Sequence, residues 1–141
     1  MGKIEEIEAR RAARKAQTKA AFEEQYATDL EALDALEVEH GDHAVATYKL
    51  DADRWKPGLP TLVVVHVPES AYNRFRGMVR KAKDNAEARG AAADLLADSC
   101  VAYPARETYS AMRAAYEGLH DNVTIIASKL AEGKSADEGK G

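Results

Sequence analysis

The side chains able to do chemistry here are four histidines, one cysteine, one tryptophan and a run of arginines and lysines. His40, Asp42 and His43 are close enough in sequence to contribute metal ligands. A zinc site, however, needs three or four ligands at defined spacing, usually with a second cluster elsewhere in the chain. No second cluster is evident, so the trio reads as a polar turn and no metal is expected. His66 falls in a β-branched run and reads as a surface-facing or hydrogen-bonded strand residue. Cys100 lies among Leu96, Val101 and Tyr103. A nucleophilic thiol wants a histidine partner and an electropositive setting, and neither is visible locally. Cys100 is therefore expected to be a buried, inert core residue.

Arg74, Arg76, Arg80, Lys81, Lys83 and Arg89 form the only basic cluster outside the N-terminal region. A basic helix can track phosphates. It can equally be a solvated face, or dock against the acidic segment 22–42. Lys56-Pro57-Gly58 is a type II turn signal rather than a phosphate cradle. Trp55 either caps the core or stands exposed as an interface anchor. No catalytic constellation is apparent, so the expectation is a protein without enzymatic activity or cofactor.

The elements that would position these residues follow from periodicity. Lys3 to about Glu39 contains no Gly or Pro and is rich in strong helix formers, predicting one long helix. Within it Phe22, Tyr26, Leu30, Leu33 and Leu36 make an apolar stripe. Gly41 is placed to end it in a left-handed conformation. Ala44 to Leu50 alternates like a half-buried strand, and Thr61 to Val67 is the strongest strand signal. Together they predict an antiparallel hairpin, with helices covering one face. Ser70, or Glu69, begins the next helix, which runs to about Asn85 with Tyr72, Phe75, Val79 and Ala82 on its inner face. Gly90 interrupts the chain before the stretch 91–130, which has helical period on both sides of Pro104. Leu95, Tyr109 and Tyr116 are expected in one core.

The predicted class is α+β and mostly helical: a long N-terminal helix, a two-stranded antiparallel hairpin, then three to four short helices. Residues 1–40 read as a helical arm, 41–131 as a small α+β domain and 132–141 as a disordered polar tail. At 141 residues the chain suits one domain with a modest core. Its net charge of −4 gives no general attraction to nucleic acid or anionic lipid. A single cysteine excludes an internal disulfide, and the longest apolar run, 62–67, is too short to span a bilayer. With no signal-peptide run near the N-terminus, a cytoplasmic protein is expected.

One resemblance adds to this reading. The order of a strand hairpin, VPESAYNRFRGMVRKA, AAADLLADSCVAYPARETYSAMRAAYEGL and a closing IIASKL helix resembles a phage tail assembly chaperone family. The matching residues are Pro68, Tyr72, Arg76, Leu95, Leu96, Cys100, Val101, Tyr103, Pro104, Gly118 and Leu119, within residues 44–131. Ala105 departs from the helix-capping Ser or Asp expected after Pro104. The long N-terminal helix lies outside the family pattern. The resemblance implies a non-enzymatic protein of the host cytoplasm. Its partner would be the tape measure protein, or another tail component, during tail assembly. The alternatives are a structural subunit of a virion or phage-like particle, and a small nucleic-acid-binding protein.

The N-terminal helix divides by charge. Residues 1–21 carry six Lys and Arg against three Glu, whereas 22–42 carry eight acids and no Lys or Arg. One reading is a solvated face. The sharper one is a coiled-coil arm that pairs with a client helix or with a second copy, making a homo-oligomer. Phe22, Tyr26, Leu30, Leu33 and Leu36 would then form the seam and Trp55 an anchor. A third possibility folds the stripe back onto the chain's own hairpin.

Overall fold

The computed structural model describes residues 2–140, with side chains described through residue 133. In chain order it contains α1 (Lys3–His40), a 3-10 turn (Asp42–Ala44), β1 (Val45–Lys49) and β2 (Leu62–His66). There follow α2 (Glu69–Ala82), α3 (Ala86–Cys100), β3 (Val101–Tyr103), α4 (Arg106–Ala115) and α5 (Leu119–Lys140). The protein is α+β and mostly helical.

The sheet differs from the expected hairpin. It has three antiparallel strands in the order β1-β2-β3. Lys49 pairs with Leu62 and Val45 with His66, and a Leu50 N–H to Thr61 O bond of 2.8 Å extends the ladder. The third strand is the Val-Ala-Tyr of the CVAYP element, within the stretch 91–130 whose period is helical on both sides of Pro104. It pairs Tyr103 with Val64 and Val101 with Val65 across a bulge. A second neighbour for β2 satisfies the backbone groups that a hairpin would leave bare along that edge.

β2 is buried on both faces. Leu62, Val63, Val64 and Val65 are each at most 2% exposed, so helices must cover both sides rather than one. Alternation divides these residues. Val63 and Val65 join the main core with Leu50, Tyr72, Leu96 and Met112, against the C-terminal helices. Val64 pairs with Tyr103, whose hydroxyl reaches α1 on the opposite side. The result is three layers: α1, the sheet, and a group built from α2 to α5.

Local signals explain most helix boundaries. Gly41 has φ +93° and donates its N–H to Glu37 O, ending α1 where glycine was expected to do so. α2 begins after Pro68, which accepts the N–H of Tyr72. Gly90 does not interrupt the chain, because α3 runs through it. The break falls earlier, at Lys83 with φ +52°, and Asn85 caps α3 by accepting the Ala88 N–H at 3.0 Å. Ala105 caps α4 without any side-chain bond. α5 continues helically through Lys140 where a tail was expected from 132. The side chains of 134–140, and Gly141, lie outside the described residues.

The core also corrects one face assignment. Tyr109 and Tyr116 are buried together, but Leu95 is 50% exposed and Leu96 takes the inward position at 3%. Adjacent leucines on a helix are separated by 100° of rotation, and the short α3 gave little else by which to choose between them.

Candidate functional site

The arm is built from two halves of α1 with different fates. Phe22, Gln25, Tyr26, Asp29, Ala32, Leu33 and Leu36 recur at three- and four-residue intervals, and all are buried or half-buried. Residues 3–21 are exposed, with Thr18 alone half-buried. At 1.5 Å per residue that exposed stretch is about 28 Å long.

Asp29 fastens the helix to the sheet. It is fully buried, and four hydrogen bonds converge on its carboxylate. Oδ2 accepts from Thr61 N at 2.7 Å and from Thr61 Oγ1 at 2.6 Å. Oδ1 accepts from Gln25 Nε2 at 2.9 Å and from the Tyr103 hydroxyl. Burial of the Tyr103 ring, then the hydrogen bond and charge of Asp29, raise that hydroxyl's pKa well above its usual value. A carboxylate buried with this many donors is a fixed joint, and it sets the direction in which residues 3–21 leave the domain.

The predicted contact residues are placed unequally. Phe22 is buried in a T-shaped contact with Trp55, ring centroids 5.6 Å apart, and stacks on Tyr26 at 5.9 Å. Lys49 Nζ lies 4.1 Å above the Tyr26 ring. Trp55 is 6% exposed and donates Nε1–H to Leu59 O at 2.6 Å. It therefore caps the core beneath α1 instead of standing free. Leu33 and Leu36 are half-buried, and Leu30, at 39% exposed, lies off the inner face. Most of the expected seam is thus occupied inside the chain, as the folded-back reading has it.

The loop between β1 and β2 is pinned from both sides, by Phe22 on Trp55 and by Tyr116. The Tyr116 hydroxyl accepts the Lys56 N–H at 2.8 Å, while Lys56 Nζ reaches Ala115 O at 2.8 Å. The Leu59 N–H to Lys56 O bond and the +92° φ of Gly58 make the expected type II turn.

Where the arm leaves this loop there is an open cleft of about 620 Å³. Arg11, Arg14, Lys15 and Lys19 of α1 form one wall, and Asp53 and Trp55 the other. All four cations are exposed, and among the described residues none is drawn into an ion pair. The sequence showed basic residues here, but their convergence on Trp55 depends on how α1 is fastened 10 to 18 residues further along.

Other candidates resolve into structure. The rings of His40 and His66 stack 3.7 Å apart, and His66 Nδ1 donates to Ala44 O at 3.0 Å, clamping the end of α1 to β2. Among the described residues no group of three His, Cys, Asp or Glu could hold a metal. In the basic cluster Arg76 covers the Tyr72 ring at 5.5 Å and Arg89 donates to Lys83 O at 2.7 Å. Cys100 is 2% exposed.

One arrangement was invisible in the sequence. The Tyr109 hydroxyl and His120 Nδ1 share a hydrogen bond of 2.7 Å. His120 Nε2 lies 3.8 Å from Asp98, which Arg113 binds at 2.9 Å. Its order imitates a proton relay. Yet Tyr109 is 5% exposed, and burial pushes its hydroxyl pKa up to about 12, with Arg113 opposing and Asp98 adding to the rise. His120 Nε2 is buried without a hydrogen-bond partner, so these contacts join α4 to α5 and to α3 without forming a continuous hydrogen-bonded path.

Comparison with known protein families, with curated proteins and with solved structures finds no match to this chain. No helix among the described residues is long and apolar enough to cross a membrane.

Proposed function

We propose that this chain is a non-enzymatic assembly chaperone, of the tail-assembly kind that residues 44–131 resemble, and that it binds its client through the exposed half of α1. The observation carrying this reading is the division of one helix. Residues 22–40 are locked to the sheet through Asp29, so residues 3–21 are presented in a fixed direction with Ile4 and Ile7 exposed at 73% and 39%. A rigid helix offered to a partner loses less conformational entropy on binding than a flexible tail does. The client implied by the resemblance is the tape measure protein, held until the tail tube surrounds it, and the setting is the host cytoplasm.

Co-expression with that client tests the proposal. The full chain should keep the client in solution and co-elute with it, whereas a chain lacking residues 1–21 should do neither. Equal recovery with both chains would exclude the arm as the contact. A chaperone should also be missing from finished particles. Its presence there in stoichiometric amount would make it a structural subunit instead.

A further inference from the structure

The inner face of α1 does not stop where the domain ends. Continuing its three- and four-residue intervals from Phe22 towards the N-terminus gives Thr18, Arg14, Arg11, Ile7 and Ile4. That is the spacing of a two-helix seam. Two of its positions, Arg11 and Arg14, carry cations where such a seam ordinarily carries apolar side chains, and Lys15 and Lys19 flank them along the cleft.

We infer that the Ile4–Thr18 face of the arm is a seam for an acidic amphipathic helix of the partner protein. This rests on the arm being the contact surface proposed above and adds the chemistry of what it contacts. Pairing with a second copy in the registers that align the cations is disfavoured. A parallel pair sets Arg11 on Arg11 and Arg14 on Arg14, and an antiparallel pair centred on Arg11 sets that residue on itself. A partner helix with Asp or Glu opposite Arg11 and Arg14, and apolar residues opposite Ile4 and Ile7, relieves both problems.

Nucleic acid fits less well. The cations from 11 to 19 cover about 12 Å of helix, two turns, which matches a short helical contact. Beyond them, 22–42 holds eight acids and no Lys or Arg, and Asp53 closes the far wall of the cleft. A phosphate backbone running on along α1 would meet like charge. Ile4 and Ile7 offer it nothing.

Trp55 is the sole tryptophan and lines the cleft, so its emission reports occupancy. Three probes are titrated into the full chain. One is a synthetic helix of about three heptads with Glu at its seam positions and Leu at one end. The second has Lys in place of each Glu, and the third is a short DNA duplex. The Glu helix should shift Trp55 emission and bind at least about tenfold more tightly than the Lys helix, weakening as salt is raised. The triple variant Arg11→Glu, Arg14→Glu, Lys15→Glu should reverse that preference with unchanged far-ultraviolet circular dichroism.

The inference is overturned if neither helix binds, if both bind alike, if the triple variant keeps the original preference, or if DNA binds more tightly than the Glu helix. Client binding separates this result from the reading beneath it. A client lost on deleting 1–21 but unaffected by the triple variant leaves the arm as contact and removes the acidic seam. A client retained on deletion removes both.

Discussion

At the residue scale the joint is Asp29. Its carboxylate is the common acceptor for Thr61, Gln25 and Tyr103, two of them far away in sequence. Asp29→Ala leaves the Thr61 N–H, the Thr61 hydroxyl and the Tyr103 hydroxyl without their acceptor. Buried donors left unpaired cost about 1–3 kcal/mol each, so a loss of about 3 kcal/mol or more is expected in urea unfolding. A loss near zero would show that water replaces the carboxylate. A second contrast is between neighbours. Leu96→Ala should cost about 2–5 kcal/mol, because the side chain is buried, and Leu95→Ala should stay within about 0.5 kcal/mol. Equal losses would refute the face assignment. Cys100, at 2% exposed, should react with thiol reagent slowly in the native protein and quickly in denaturant.

At the element scale α1 acts as two elements sharing one backbone. Its inner face is mostly apolar and anchored through Asp29 from Phe22 onward, and before Phe22 it carries Arg11 and Arg14 between Ile7 and Thr18. Removing residues 1–21 takes away no buried side chain described in the structure, so the unfolding free energy of the truncated chain should change by no more than about 0.5 kcal/mol. A larger loss would mean that the exposed half supports the fold. β3 is the other instructive element. Three residues between a helix and a proline are too few to show an alternating pattern, and the strand exists because β2 has a second edge to pair.

At the scale of the whole molecule, titration of two tyrosines couples stability to alkaline pH. Tyr103 and Tyr109 both have pKa values raised above the usual value near 10, chiefly by burial. The fold therefore favours their neutral forms. That contribution is complete below about pH 10 and is lost as pH rises through the raised values. Stability measured by urea should fall between about pH 10 and 12, and Tyr103→Phe should flatten part of the fall. A profile identical in that variant would place the alkaline sensitivity elsewhere.

Local chemistry was enough to determine a good deal of this protein. The absence of Gly and Pro from 3–40 made one helix, Gly41 ended it, Pro57-Gly58 turned the loop, and the β-branched run made β2. These depend on residues a few positions apart, which periodicity and turn preferences record. What only the tertiary structure decided is where each face points. The stripe from Phe22 to Leu36 suits a partner helix and the chain's own sheet equally well. The choice lies in contacts such as Asp29 with Thr61 and Tyr103, 32 and 74 positions away. The cleft at Trp55 has the same origin. Its cations are plain in the sequence, but they become one surface because a buried carboxylate further along the helix fixes the line on which they leave the domain.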